Sequence, residues 1–265
     1  MFGFFEKKEA HVDEVKAPAF VEWKGWRKFK VMNRKHECVD TTTFTLMPAD
    51  EQPLPAFRAG QGVALRLEGF EPRAYTLCST PDEGCYRITI KVLDNDRGAL
   101  SAQIAQFLHV GDEIEVSEPA GGFVLDDRET PVVMIAEGIG ITPMVAMLSE
   151  IATDHPLRRV HLIYSTKNGE HFPLQEETKN LIKLIPDSGM AVGYTEPRFD
   201  EHVGQDYQFT GKLMPATLRH ACMDAESDVY LCGSEIFVEY VRNIILQYRT
   251  IPADHIHTQV FVRTR

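Results

Sequence analysis

The chain has 265 residues, 43% hydrophobic and 25% charged, enough for two ordinary domains with a core each. Its formal net charge of −11 argues against nucleic acid as the main partner, because phosphate binding needs a net basic face. No apolar run approaches the roughly 20 residues that cross a bilayer. Five cysteines without a CxxC pair argue against a disulfide framework or zinc site, and a reducing cytoplasm is the expected compartment.

Residues 1–24 begin aromatic, turn mixed in charge, and read as an N-terminal tail without the apolar core of a secretory signal. From residue 25 to 127 the rhythm is that of short strands. Segments 26–37, 41–50, 60–70, 73–79, 86–94 and 112–120 alternate or carry β-formers, and Pro, Gly and Asp separate them. Such spacing predicts an antiparallel β-barrel, with a helix at 101–110. In the strand RAYTLCS, alternation puts Arg73, Tyr75, Leu77 and Ser79 on one face and Ala74, Thr76 and Cys78 on the other. A half-exposed edge strand with a surface arginine explains those residues equally well.

From residue 128 to 265 strands alternate with helices. Strands are predicted at 131–136, 159–166, 190–197 and 228–232, and helices at 142–152, 174–185, 214–223 and 235–248. This is the pattern of βαβ units, hence an α/β domain with a parallel sheet. AEGIGITPM follows the first of these strands. Gly138 and Gly140 allow a tight turn and close approach of a ligand. Thr142 is placed to cap the helix, and Pro143 suits its first turn. The exposed amides favour an anion such as a pyrophosphate, although a purely structural turn has the same residues. In LCGS, Cys232 falls at the carboxyl end of the last of these strands, Gly233 permits close approach, and Ser234 and Glu235 start a helix. A small buried cysteine is the alternative reading.

The ordered set RAYTLCS, GALS, GIGITPM and LCGS resembles the ferredoxin–NADP reductase superfamily, from about Gly25 to Phe261. Within it the chain looks most like the reductase portion of flavohaemoglobins, supported by PAFRAGQGVALRL, YRITIKV, EPAGGFVLDD and IHTQVF. The resemblance implies that Arg73 meets the flavin phosphates, Tyr75 packs on the flavin, and Thr76 hydrogen-bonds near its hydride-accepting nitrogen. It makes Gly98 and Ser101 a phosphate-binding turn, places Gln61 and Lys91 near the flavin, and sets Phe123 at an adenine end, favouring FAD. It makes Gly138, Gly140, Thr142 and Pro143 the NAD(P)H loop, with Cys232 and Gly233 beside the nicotinamide and Phe261 covering the flavin. Thr76 and Cys232 thereby become the catalytic candidates. Two residues depart from the pattern: Ser234 stands where many members have Pro, and Gln259 where flavohaemoglobins usually have Glu.

The implied protein is an FAD-dependent NAD(P)H oxidoreductase that passes electrons to a separate acceptor, a haem or iron–sulfur protein. The tail is too short for a globin and the cysteines lack cluster spacing. A diaphorase reducing free flavin or ferric chelates and a non-catalytic redox sensor are the alternatives. Lys24, Arg27, Lys28, Lys30, Arg34 and Lys35 are candidates for a docking patch. Lys167 and Arg198 are candidates for a 2′-phosphate contact, which leaves NADH against NADPH open.

Overall fold

The computed structural model describes residues 23–93, 99–220, 225–248 and 251–261. Nearly all of the predicted tail, together with Gly98 and Cys222, lies outside the described residues.

Six antiparallel strands come first: β1 (Trp26–Cys38), β2 (Thr41–Pro48), β3 (Gly62–Arg66), β4 (Arg73–Thr76), β5 (Tyr86–Lys91) and β6 (Glu113–Ser117). Helix α1 (Leu100–Phe107) lies between β5 and β6 and ends short of the predicted His109 and Val110. The sheet order is β4-β3-β6-β1-β2-β5. Its two edges meet beyond β4, where Leu77 bridges Ile88 and the Cys78 amide donates to the Arg87 carbonyl at 2.8 Å. The sheet therefore curls closed, which removes the exposed edges an open sheet would carry. Inward positions Phe29, Val31, Phe44, Leu46, Ile88 and Ile90 alternate along their strands and fill the interior.

The second half carries β7 (Val132–Glu137), α2 (Ile141–Asp154), β8 (Val160–Thr166), α3 (Gln175–Leu184), β9 (Ser188–Tyr194), β10 (Phe209–Thr210), α4 (Pro215–His220), β11 (Asp228–Gly233), α5 (Glu235–Tyr248) and β12 (Ile256–Val260). All six strands are parallel, in the order β10-β9-β8-β7-β11-β12. Strands buried on both faces need near-continuous apolar runs, which is why VVMIA reads as it does. Met134, Ala136, Leu162 and Tyr164 pack under α2, whereas Val133, Ile135, Val229 and Leu231 pack against α5. The chain leaves β7 towards β8 on one side and returns on the other at β11. That reversal is a topological switch point, outside whose carboxyl strand ends open α/β sheets bind ligands.

The two halves share contacts. Ala59, Cys78, Phe123 and Leu125 join the cluster beneath α2. Arg87 of β5 forks onto Glu177 of α3 at 2.7 and 2.6 Å. In the β1–β2 turn, Asp40 Oδ2 lies 3.0 Å from His171 Nδ1 in the loop after β8.

Candidate active site

The strand RAYT is held antiparallel to β3, with Thr76 opposite Gly62, Tyr75 opposite Val63 and Arg73 opposite Leu65. The strands approach closely because residue 62 is glycine: a Cβ there would lie 2.7 Å from the Tyr75 carbonyl oxygen. Arg73 and Tyr75 share a face and converge on Ser101. The Tyr75 hydroxyl is 2.9 Å from Ser101 Oγ, and Arg73 Nη1 donates to it at 3.4 Å. Thr76 is buried. Ser101 lies inside the first turn of α1, whose N-cap is Ala99, so its hydroxyl is not the helix cap. A guanidinium and two hydroxyls beside a helix start form a donor set that fits a phosphate.

Gln61 braces two loops. Its Oε1 accepts from the Arg58 amide at 2.9 Å, and its Nε2 donates to the Gly121 carbonyl at 3.4 Å. Lys91 Nζ is 3.2 Å from Asp40 Oδ2, within the inter-half contact. Burial alone would raise the Asp40 carboxyl. The Thr41 hydroxyl, Lys91 and His171 outweigh it and hold the carboxyl below its ordinary value. Phe123 is buried between the halves, edge-on to Tyr230 with ring centroids 5.8 Å apart.

At the switch point, Gly138 takes a left-handed φ of 54° and opens a single 3-10 turn, Gly138–Gly140. The Tyr164 hydroxyl donates to the Gly138 carbonyl at 2.9 Å. Gly140 rests on the end of β11: a Cβ there would lie against the Cys232 carbonyl and 2.8 Å from its carbon. The predicted cap at Thr142 does not form. Helix α2 already starts at Ile141 with Gly140 as N-cap, so the Thr142 hydroxyl is inside the helix and donates back to the Ile139 carbonyl at 3.0 Å. Pro143 does fall in the first turn, where a missing N–H is tolerated.

Cys232 sits between Ala136 of β7 and Gln259 of β12. It has no exposed surface, and burial pushes its thiol up, so it is a neutral group at ordinary pH. Gly233 is required by packing, since a Cβ would meet the Phe237 ring at 2.8 Å. The Phe261 amide donates to the Gly233 carbonyl at 3.0 Å, and Phe261 packs against the cluster that holds Cys232. The structure thus brings eight of the predicted residues into two groups, with Gln61, Lys91 and Phe123 outside both. Arg73, Tyr75 and Ser101 form one; Gly138, Gly140, Cys232, Gly233 and Phe261 form the other.

Sequence reasoning missed Glu137. Ser234 Oγ donates to its Oε2 at 2.6 Å and also accepts from the Phe237 amide at 3.4 Å, capping α5. A carboxylate ending a buried apolar strand was the available signal. Three of the six cations in the basic stretch have carboxylate partners. Arg27 pairs with Asp50, Lys28 with Glu113 at 3.2 Å and Lys35 with Glu37 at 2.9 Å. Among the described residues no cluster of His, Cys, Asp or Glu could hold a metal ion, and no helix is long and apolar enough to cross a membrane.

Residues 28–125 match the oxidoreductase FAD-binding domain, and residues 134–243 match the oxidoreductase NAD-binding domain. A flavohemoprotein of Chromobacterium violaceum is 33% identical over 249 residues, covering 90% of this chain and 61% of the relative. The chain spans about 60% of the length of the curated flavohemoproteins it matches. The flavohaemoglobin-like FAD/NAD-binding domain of nitric oxide dioxygenase from Vibrio cholerae superposes with a TM-score of 0.80 at 29% identity, covering 90% of this chain and 99% of that one. Phthalate dioxygenase reductase, described as transferring electrons from pyridine nucleotides to [2Fe-2S], superposes at 0.73 with 25% identity, covering 91% of this chain and 70% of its own.

Proposed function

The chain belongs to the ferredoxin reductase family of FAD- and NAD-binding oxidoreductases, and from that premise we propose that it passes electrons from NAD(P)H through FAD to a separate one-electron acceptor, a haem or iron–sulfur protein. The observation that carries the reading is the Gly138–Gly140 turn seated on the Cys232 end of β11 at the switch point. The close glycine approach at that place, at the carboxyl ends of the parallel strands, suits the pyrophosphate of a nicotinamide dinucleotide.

In this reading residues 25–127 form the FAD domain and 128–265 the NAD(P)H domain. Arg73 and Ser101 hold the FAD phosphates, and Tyr75 packs on the ring system. Bound FAD supplies the two-electron to one-electron conversion that joins a hydride donor to a haem or cluster. Thr76 presents its hydroxyl to the ring edge. Gln61 fixes the loops at Arg58 and Gly121 that border the site. Phe261, backed by buried Cys232, forms an apolar wall at the nicotinamide end, where water exclusion strengthens orientation. Lys91 acts through Asp40, holding the two halves in register. The acceptor class is drawn from the flavohemoproteins and from the [2Fe-2S] reductase among the relatives.

The test is NAD(P)H oxidation by the FAD-loaded protein with ferricyanide, a c-type cytochrome and a plant-type ferredoxin as separate acceptors. Turnover with at least one protein acceptor, well above the rate with oxygen, is expected. Equal rates with oxygen alone would make the chain an oxidase and remove the separate acceptor.

A further inference from the structure

The carboxyl end of β8, the strand beside the glycine turn, carries the residues that in a doubly wound sheet meet the ribose 2′ position of the adenosine. Here those residues have an unusual balance of charge and hydrogen bonding. Asn168 is 7% exposed. Its Nδ2 donates to the Glu196 carbonyl at 3.3 Å, while its Oδ1 has no partner. A buried acceptor without a donor is costly, and a ligand hydroxyl is the natural group to satisfy it.

The two cations nearby are already engaged. Lys167 Nζ is 3.3 Å from Glu196 Oε2. Arg198 pairs with Glu170, and its Nη2 lies 3.2 Å from Asp200. Glu201 adds a fourth carboxylate, accepting from the Gly169 and Arg198 amides at 2.8 and 2.7 Å. Four carboxylates therefore surround two cations where a 2′-phosphate would have to enter. Such a phosphate brings a charge of about −1.5 to −2 and only acceptor oxygens. It would be repelled by the acids and would leave Asn168 Oδ1 unpaired, whereas a ribose hydroxyl does neither.

We propose that the chain takes NADH in preference to NADPH, with Asn168 Oδ1 accepting the adenosine 2′-hydroxyl while Glu196, Glu170 and Asp200 keep Lys167 and Arg198 from serving a 2′-phosphate. The proposal rests on the NAD(P)H reductase reading. It decides between the two cofactors that the sequence leaves open, against a 2′-phosphate contact at Lys167 and Arg198.

The test compares both cofactors and their fragments. kcat/KM for NADH with ferricyanide should exceed that for NADPH by on the order of a hundredfold, and 2′-deoxy-NADH should lose roughly tenfold or more relative to NADH. Calorimetric titration with 5′-AMP and 2′,5′-ADP gives a readout independent of turnover, and 5′-AMP should bind more tightly. In the double variant Glu170→Gln, Glu196→Gln the NADH/NADPH ratio should fall about tenfold, mainly through KM for NADPH. Equal or better use of NADPH, tighter binding of 2′,5′-ADP, undiminished use of 2′-deoxy-NADH, or a ratio unmoved in the double variant would overturn the proposal. Absence of turnover with either cofactor would instead overturn the reductase reading, and the fragment titrations would still decide the preference.

Discussion

Removing the fork between Arg87 and Glu177 should uncouple the two halves of the molecule. Arg87 Nη1 and Nη2 reach the two Glu177 oxygens at 2.7 and 2.6 Å, with side chains 17% and 29% exposed. Arg87 also donates to the Cys78 carbonyl at 2.7 Å and lies 3.2 Å from Glu83. Burial alone would lower its pKa, but the Glu177 bonds and the surrounding negative charge outweigh it and keep the guanidinium charged. Glu177→Ala removes two charge-assisted bonds yet leaves Arg87 its Cys78 and Glu83 partners, so a loss of about 1.5–3 kcal/mol is expected. Arg87→Ala also strips the Cys78 carbonyl of its donor, and about 3–5 kcal/mol is expected. The double variant should cost less than the sum, with a coupling of about 1.5–3 kcal/mol. Both tryptophans, Trp23 and Trp26, lie at the start of the first half, so their fluorescence reports that half while circular dichroism reports the whole chain. In urea the wild-type transitions should coincide and those of each single variant should separate. Coincident transitions in all variants, with a coupling below about 0.5 kcal/mol, would refute a structural role for this contact.

Three further outcomes are expected. Arg73→Ala should bind FAD roughly ten- to a hundredfold more weakly than wild type while its circular dichroism is unchanged, and a full flavin complement after exhaustive dialysis would remove Arg73 from the phosphate site. Cys232 should resist iodoacetamide at neutral pH in the folded chain, while half-buried Cys38 and Cys85, whose thiols burial also pushes up, label slowly but faster than it, as read by peptide mapping; labelling of Cys232 ahead of them would contradict its burial. Asp40 has a folded pKa held below its unfolded value, so it contributes stability that is fully present above about pH 4 and is lost as pH falls through the lowered value. The stability gap between wild type and Asp40→Asn should therefore close on acidification, and a gap that widens below pH 4 would reverse the sign of this linkage.

Much of the architecture was legible because burial leaves a periodic trace. Phe29 and Val31 alternate with exposed Lys28, Lys30 and Met32 where one face is wet, and VVMIA runs apolar where both faces are covered. Sheet order leaves no such trace. The closure of Leu77 on Ile88 and the Arg87–Glu177 fork join residues far apart in sequence, and no local pattern encodes them. Thr142 misled because a Thr before an apolar run is the usual cap signal. Gly140 takes helical dihedrals, and the helix begins two residues earlier than the signal implies. The pairing of Arg27 with Asp50 and of Lys28 with Glu113 was not legible, because those acids come from other strands and turns. Arg73, Tyr75 and Ser101 were named together only through an ordered set of motifs, since alternation alone could not bring Ser101 to the strand. Asn168 and Glu137 were missed because their meaning lies in partners: an oxygen with none, and a serine across the crevice.

In the proposed function the Gly138–Gly140 turn and the Cys232 end of β11 present NAD(P)H to FAD held by Arg73, Tyr75 and Ser101. Anaerobic stopped-flow mixing of the FAD-loaded protein with NADH, followed through the flavin absorbance, tests it most directly. The account predicts full bleaching in a single turnover for wild type, and slower bleaching with undiminished flavin content for Cys232→Ala. Bound flavin that stays oxidised with both NADH and NADPH would contradict the account.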